Sequence, residues 1–84
     1  MSQERQAVGN VFRALRKKTG LTQEAVAFRS GLDRTYVSMI ELGKNSPTID
    51  TACILCKTMH TSFSEFAAML EVELAQIKDE DSSV

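Results

Sequence analysis

The feature that most constrains the fold is a glycine at position 31, which interrupts an otherwise helical pattern of apolar and polar residues. Gly31 tolerates the positive φ that lets one helix stop while the chain turns sharply. Thr22 and Asp33, on either side of this break, are favourable N-caps. The pattern therefore predicts two short helices, over residues 23–29 and 34–42, that are joined by a tight turn and cross near a right angle.

The second of these helices has two distinct faces. Val37 and Ile40 lie three residues apart, with Leu32 just before the helix, and form an apolar face that packs against the first helix of the pair. The opposite face is left outside and carries Arg34, Thr35, Ser38 and Met39. An exposed helix with hydrogen-bond donors in its first turn, supported by a partner helix, fits the major groove of B-DNA.

Apolar residues at helical spacing predict three further helices, over residues 4–18, 48–59 and 63–77. No stretch of the sequence alternates in the manner of a strand, so the expected fold class is all-α with five helices. The 84 residues suffice for one domain, assigned to residues 1–78, with a flexible acidic tail at residues 79–84. A core this small is marginal, so contacts within an oligomer are expected to add stability.

The charges are unevenly divided along the chain, although the net charge is only −1. Residues 1–45 contain eight basic and four acidic side chains, whereas residues 46–84 contain two basic and seven acidic ones. Such a division presents one end of a molecule to phosphate and keeps the other end away from it. A solvated surface of mixed charge is the alternative interpretation.

Cys53, Cys56 and His60 fall on one side of the fourth predicted helix, where they resemble part of a metal site. A structural zinc site takes four ligands, usually from two separated pairs, and a redox Cys-x-x-Cys pair usually opens a helix after a strand. The sequence offers neither context. We therefore expect no metal, and two buried, reduced thiols that pack as small apolar side chains.

The composition argues against several other classes of protein. A single histidine, without a glycine-rich phosphate loop or a pair of catalytic carboxylates, predicts that the chain is not an enzyme and needs no cofactor. No apolar run reaches membrane-spanning length, and the polar first residues lack the apolar core of a signal peptide. The expected location is the cytoplasm, with no membrane partner and no evident small-molecule effector.

The run LTQEAVA, followed by SGLDRTYVSMIELGKNSP, resembles the Cro and lambda-repressor-like (XRE) helix-turn-helix family over roughly residues 8–66. The positions that stand at the family spacing are Gln23, Ala27, Gly31, Val37 and Ile40. Within that family, the segment GLDRTYVS is most similar to the controller proteins of restriction-modification systems. The resemblance implies a transcriptional regulator that binds a palindromic or pseudo-palindromic operator as a homodimer and regulates its own gene, with RNA polymerase as a further candidate partner. The alternative is an antitoxin-like or other protein-binding helical module with secondary DNA binding.

The second helix of the pair and its surroundings supply the expected DNA contacts. Arg34 can donate two parallel hydrogen bonds to guanine, and Thr35 can bond a base or touch a thymine methyl group. The expected base contacts, to which resemblance adds Met39, are Arg34, Thr35, Ser38 and Met39. The expected phosphate contacts, among which resemblance places Gln23, are Gln23, Tyr36, Lys44, Asn45, Arg13 and Lys17. Structural roles stay open for Tyr36 and Ser38, and an ordinary solvated surface for the basic residues and the loop.

Two further expectations concern the scaffold. The resemblance implies a structural ion pair between Arg16 and Glu41 that ties the first helix to the third. Met69 and Val72 lie off the main apolar stripe of the fifth helix, which predicts a second buried surface in a dimer. The residues assigned to this dimer interface are Phe66, Met69, Leu70, Val72, Glu73 and Ile77. Scattered surface apolar residues are the alternative.

Overall fold

The computed structural model describes the backbone of residues 2–82 and the side chains of residues 2–77. Five helices and no strand occur in this part of the chain, which confirms the expected all-α fold. Their bounds are α1, Gln3–Thr19; α2, Gln23–Ser30; α3, Arg34–Glu41; α4, Ile49–Thr58; and α5, Phe63–Ser82. Among the described residues, none of these helices is both long and apolar enough to cross a membrane.

Every helix begins with a side chain that caps it, as the sequence predicts for α2, α3 and α5. The hydroxyl or carboxylate oxygen of each capping residue accepts a hydrogen bond from a backbone N–H in the first turn of its helix. The capping residues are Ser2, Thr22, Asp33, Thr48 and Ser62. These bonds satisfy N–H groups that lack an intrahelical partner, so the starts of the helices are fixed locally.

The turn between α2 and α3 has the positive φ that the sequence predicts at Gly31. Gly31 adopts φ 76°, and its N–H bonds the carbonyl of Ala27. The N–H of Leu32 bonds the same carbonyl at 3.0 Å. A side chain at position 31 would need no extra space but would be forced into a conformation that L-residues rarely adopt. The tight turn therefore depends on the backbone freedom of glycine.

The fifth helix extends further than its apolar pattern indicates. The sequence predicts its end at residue 77 and a flexible tail from residue 79, whereas α5 continues to Ser82. Glu and Lys are good helix formers, and the stretch after Ile77 contains no glycine or proline to stop the helix. Residues 83–84 of the predicted tail lie outside the described residues.

The core lies between α1 and the helices that surround it. α1 packs against both α3 and α5, while α2 packs against α3 and α4. The rings of Phe12 and Phe66 stack at 4.6 Å between centroids, which joins α1 to α5. The buried apolar cluster consists of Val11, Phe12, Leu15, Val26, Ala27, Val37, Ile40, Ala52, Leu55, Cys56, Met59 and Phe66. One core thus holds α2 and α3 in a fixed position relative to α1, α4 and α5.

The fourth helix departs from the sequence interpretation at two positions. Cys56 is buried as expected, but Cys53 is exposed, and Ile49 is 67% exposed instead of belonging to the core. Ala52, Leu55 and Cys56 turn toward the core, and the helical period places Cys53 on the outer side. Ile49 lies seven residues before Cys56, on nearly the same row, and is exposed at the first position of α4. The described residues contain no group of three or more potential metal ligands.

The two thiols should differ in reactivity. Burial, with a smaller effect of the neighbouring Cys53, raises the pKa of the Cys56 thiol above its ordinary value. A raised pKa leaves less thiolate at neutral pH, and burial blocks access, so Cys56 should react with iodoacetamide at least about tenfold more slowly than Cys53. Mass spectrometry of partly alkylated protein measures the two rates. Equal rates in the folded protein, with unfolded protein as the reference, would contradict the burial of Cys56.

Gly9 marks a point of close contact between α1 and α3. A Cβ atom at this position would lie 2.6 Å from the carbonyl oxygen of Glu41 and closer still to that of Ile40. Both obstacles are backbone atoms, which cannot move without displacing the end of α3. The contact therefore requires a residue without a side chain, a feature that the sequence analysis did not identify.

Gly9→Ala should lower the free energy of unfolding by about 2 kcal/mol because the added methyl group forces the two helices apart. Helix propensity alone would predict the opposite sign, a gain of up to about 1 kcal/mol. Urea unfolding followed by circular dichroism measures the difference. The matched control is Ala14→Gly at an exposed position of α1, which should cost about 1 kcal/mol through propensity. A stabilised Gly9→Ala protein would show that α1 and α3 do not touch at this point.

Candidate nucleic-acid interface

The candidate DNA-contacting surface is the outer face of α3. Val37 and Ile40 are 3% and 1% exposed and anchor the inner face in the core. Arg34 and Thr35 are exposed in the first turn, directly after the capping residue Asp33. The helix is therefore held by its apolar side while its N-terminal donors face solvent.

The other two expected base-contact residues lie further along the same face. Ser38 and Met39 are half-buried and follow Arg34 and Thr35 by one helical turn. Together these four residues form a continuous strip, which we call the α3 strip. Tyr36 lies beside the strip, and its ring packs against the core cluster. The structure thus brings all four predicted base-contact residues together.

A buried ion pair fixes the end of α3 opposite the exposed first turn. Arg16 Nε donates to Glu41 Oε2 at 2.6 Å, and Arg16 Nη2 donates to Glu41 Oε1 at 3.0 Å. Glu41 is only 6% exposed. Arg16 Nη1 also donates to the carbonyl oxygen of Leu21 at 3.1 Å. A bidentate pair of this kind fixes both distance and angle, so α1, α3 and the start of α2 are held as one unit.

The same pair sets the charge state of Arg16. The side-chain hydrogen bonds that Arg16 donates to Glu41 raise the pKa of the Arg16 guanidinium. Desolvation by burial lowers this pKa, and Coulombic attraction to Glu41 raises it again. Because the ordinary pKa of arginine already lies far above neutral pH, Arg16 stays charged across the working range. Arg16 therefore remains a charged partner of Glu41 throughout that range.

Gln23 occupies a position between this ion pair and the solvent. Its Nε2 donates to Glu41 Oε1 at 3.1 Å, so one amide hydrogen is used within the protein. The second amide hydrogen of Nε2 is not required for that bond. Gln23 also lines an open cleft of about 450 Å³ with Arg16, Thr22, Glu24 and Arg34. The start of α2, with its free N–H groups, and the side chain of Arg34 thus border one concave surface.

In the loop after α3, the amides of Lys44 and Asn45 are bonded within the protein, while the side chains remain accessible. The N–H groups of Lys44 and Asn45 donate to the carbonyl oxygen of Met39 at 2.9 and 3.3 Å. These two amides are therefore not free to hold a phosphate, because their donors are already used. Lys44 is exposed and Asn45 is half-buried, so any contact from this loop comes from their side chains.

Arg13 and Lys17 lie four residues apart on α1 and are both exposed. No carboxylate forms a salt bridge with either of them among the described side chains. Their positions place two positive charges on one row of the helix surface. The structure leaves both available to an anionic partner.

Most residues assigned to the dimer interface have other roles within one chain. Phe66 is 4% exposed and belongs to the core, and Met69 and Leu70 pack against that core. Glu73 Oε2 accepts a hydrogen bond from Asn10 Nδ2 at 2.9 Å. Of the assigned residues, Val72 alone is mainly exposed, at 60%. An apolar pattern shows that a residue is covered but not by which surface, so α1 covers much of what was assigned to a second subunit.

Glu41→Ala should lower the free energy of unfolding by about 3 kcal/mol, because it leaves the half-buried guanidinium of Arg16 without its partner. Urea unfolding measures the loss. The control is the double variant Arg16→Met with Glu41→Leu, which replaces both charges by apolar groups and should recover most of the stability. If Glu41→Ala and the wild type had the same midpoint of urea unfolding, the pair would contribute nothing to stability.

Comparison with known proteins gives the family directly. The helix-turn-helix family model, HTH_3, matches residues 12–66. The chain is 41% identical over 61 residues to the uncharacterized HTH-type transcriptional regulator y4dJ of Sinorhizobium fredii, covering 73% of this chain and 79% of that protein. It is 38% identical over 66 residues to the control protein C.MunI of Mycoplasma sp, covering 77% and 89% of the two chains.

Solved structures agree with these relatives. The restriction-modification controller protein C.Esp1396I, determined as a tetramer in complex with its natural 35 base-pair operator, has a TM-score of 0.83 and 35% identity. That likeness covers 89% of this chain and 99% of the controller protein chain. The chain therefore belongs to the helix-turn-helix family, as an XRE-type DNA-binding transcription regulator similar to restriction-modification controller proteins.

Proposed function

We propose that this chain is a sequence-specific regulator that binds a pseudo-palindromic operator as a homodimer and controls its own gene. The observation that carries the proposal is the exposure of Arg34 and Thr35 at the start of a helix whose other end is fixed by the Arg16–Glu41 pair. A rigid helix with free donors in its first turn reads base edges without having to rearrange.

Base recognition falls to the α3 strip. The Arg34 guanidinium donates two parallel hydrogen bonds to N7 and O6 of guanine, a geometry that no other base pair offers. Thr35 bonds a base edge or contacts a thymine methyl group. Ser38 and Met39 are half-buried, so they add contacts near the centre of the strip, and the Met39 thioether contributes apolar contact only.

Phosphate contacts come from the elements beside α3. Lys44 and Asn45 hold the strand through their side chains, and the second amide hydrogen of Gln23 reaches it from the start of α2. Arg13 and Lys17 extend the positive surface along α1. Such contacts give affinity and register but little sequence information. Each phosphate that they neutralise makes binding more sensitive to salt. Tyr36 is assigned a phosphate contact through its hydroxyl, while its ring belongs to the core.

A second role as a protein-binding module is favoured by one observation. Phe28, near the end of α2, is 89% exposed, although a large aromatic ring gains most from burial. The ring lies on α2, which supports α3. There it is accessible to a partner such as RNA polymerase or, for an antitoxin-like module, the protein that the antitoxin binds. The exposed donors of α3 favour DNA as the primary partner.

Fluorescence anisotropy with the DNA just upstream of the chain's own gene tests the proposal. Scrambled DNA serves as competitor, and the titration is repeated at several salt concentrations. Tight binding that resists the competitor and weakens steeply with salt is expected of an autoregulatory operator-binding protein. Binding that scrambled DNA matches equally would show that this sequence is not the operator.

Arg34→Ala should weaken binding to the specific site by about 1 to 3 kcal/mol and relax the preference at one base position, because the bidentate contact to guanine is lost. Lys44→Ala is the matched control at an exposed cation of the loop. It should weaken specific and random DNA to a similar degree and reduce the slope of log K against log salt by about 1. Competition assays on both DNAs separate the two results. Equal losses on both DNAs for Arg34→Ala would remove it from the set of base readers.

A further inference from the structure

Glu41 accepts more hydrogen bonds than its ion pair with Arg16 requires. Arg16 already satisfies both carboxylate oxygens, since its Nε bonds Oε2 at 2.6 Å and its Nη2 bonds Oε1 at 3.0 Å. Oε1 accepts a further bond at 3.1 Å from Nε2 of Gln23, the first residue of α2. The bond from Gln23 is therefore not needed to satisfy the buried carboxylate, and its consequence falls on Gln23 itself.

The chemistry of Glu41 determines which end of the Gln23 amide faces it. A carboxylate in an ion pair only accepts hydrogen bonds, whereas a primary amide has a donor end, Nε2, and an acceptor end, Oε1. A reversed amide would place its oxygen against the Glu41 oxygen, with no hydrogen between them. The amide nitrogen therefore stays beside Glu41, and the bond uses only one of its two hydrogens.

Gln23 also lines the open cleft between the start of α2 and the start of α3. The other side chains of this cleft are those of Thr22 and Glu24 from α2, Arg16 from α1 and Arg34 from α3. Arg34 belongs both to the cleft and to the α3 strip, so the cleft opens beside the candidate DNA-contacting surface. An anion in this cleft meets a donor at Gln23 only when the amide presents its nitrogen end.

We propose that Glu41 is a positioning residue for DNA binding, which keeps the donor end of the Gln23 amide available to a backbone phosphate. The inference rests on the proposed function, to which the phosphate contact of Gln23 belongs. Glu41 touches no phosphate and acts only through Gln23. Because every DNA sequence carries phosphates, the effect is the same for operator and scrambled DNA. Because the Arg16–Glu41 pair has no net charge, the effect leaves the slope of log K against log salt unchanged.

The double variant Arg16→Met with Glu41→Leu separates this role from stability. Its two apolar side chains should restore most of the stability that Glu41→Ala loses, yet they offer Gln23 no acceptor, and the amide is free to turn. Its affinity for scrambled DNA should fall about three- to tenfold, the usual effect of one hydrogen bond. Fluorescence anisotropy measures the change, and circular dichroism checks the fold. A folded double variant with wild-type affinity would overturn the proposal.

Repeating the measurement without Gln23 distinguishes positioning from a general effect on the scaffold. In a Gln23→Ala background, the double variant should bind within about twofold of Gln23→Ala alone, because the group that Glu41 positions is already absent. An equal loss in both backgrounds would show that the pair acts through the scaffold or that Arg16 contacts DNA itself, and would overturn the proposal. Gln76→Ala, at an exposed position of α5, is the matched control and should bind like the wild type.

Nuclear magnetic resonance of the wild type tests the orientation directly, even where the double variant does not fold. The side-chain amide of Gln23 is identified by its loss in Gln23→Ala. One of its two hydrogens should resonate downfield of those of the exposed Gln76, and the other should shift when scrambled DNA is added. A protein that binds DNA while both hydrogens resemble those of Gln76 overturns the positioning role alone. A protein that binds neither operator nor scrambled DNA overturns the proposed function together with it.

Discussion

The structure depends on the bidentate pair between Arg16 and Glu41. It joins the end of α1 to the end of α3, and it reaches the start of α2 through Leu21 and Gln23. A buried carboxylate is tolerated only when its oxygens are satisfied, and both oxygens of Glu41 accept hydrogen bonds. The orientation of the recognition helix is therefore fixed by polar geometry as well as by the core.

The surface divides into parts with different tasks. The α3 strip carries exposed hydrogen-bond donors, and most basic side chains lie in the first half of the chain, whereas the acidic residues are concentrated in the second half. Under the proposed function, this division presents the basic part to phosphate and keeps the acidic part away from it.

The helices, the turn at Gly31 and the exposed face of α3 could be predicted from the sequence, because each has a local cause. Capping residues and Gly31 set the helix ends, and the period of Val37 and Ile40 identifies the buried side of α3. The sequence was insufficient where a pattern has two explanations. Phe66 could be covered by its own chain or by a second one, and Cys53 could face either way. Gly9 belongs to no recognisable sequence pattern, since its role depends on the contact between α1 and α3 in the folded chain.

The loop after α3 has a consequence for the thermodynamics of binding. Because the amides of Lys44 and Asn45 are bonded to the carbonyl of Met39, the backbone of this loop is already ordered without DNA. Little conformational entropy remains to be lost on association, apart from that of the side chains. Under the proposed mode of binding, ordering of the loop then costs little free energy, and discrimination between operators depends on the side chains of the α3 strip. A changed operator preference would require substitutions within the two turns of α3 that carry this strip, with the rest of the scaffold unchanged.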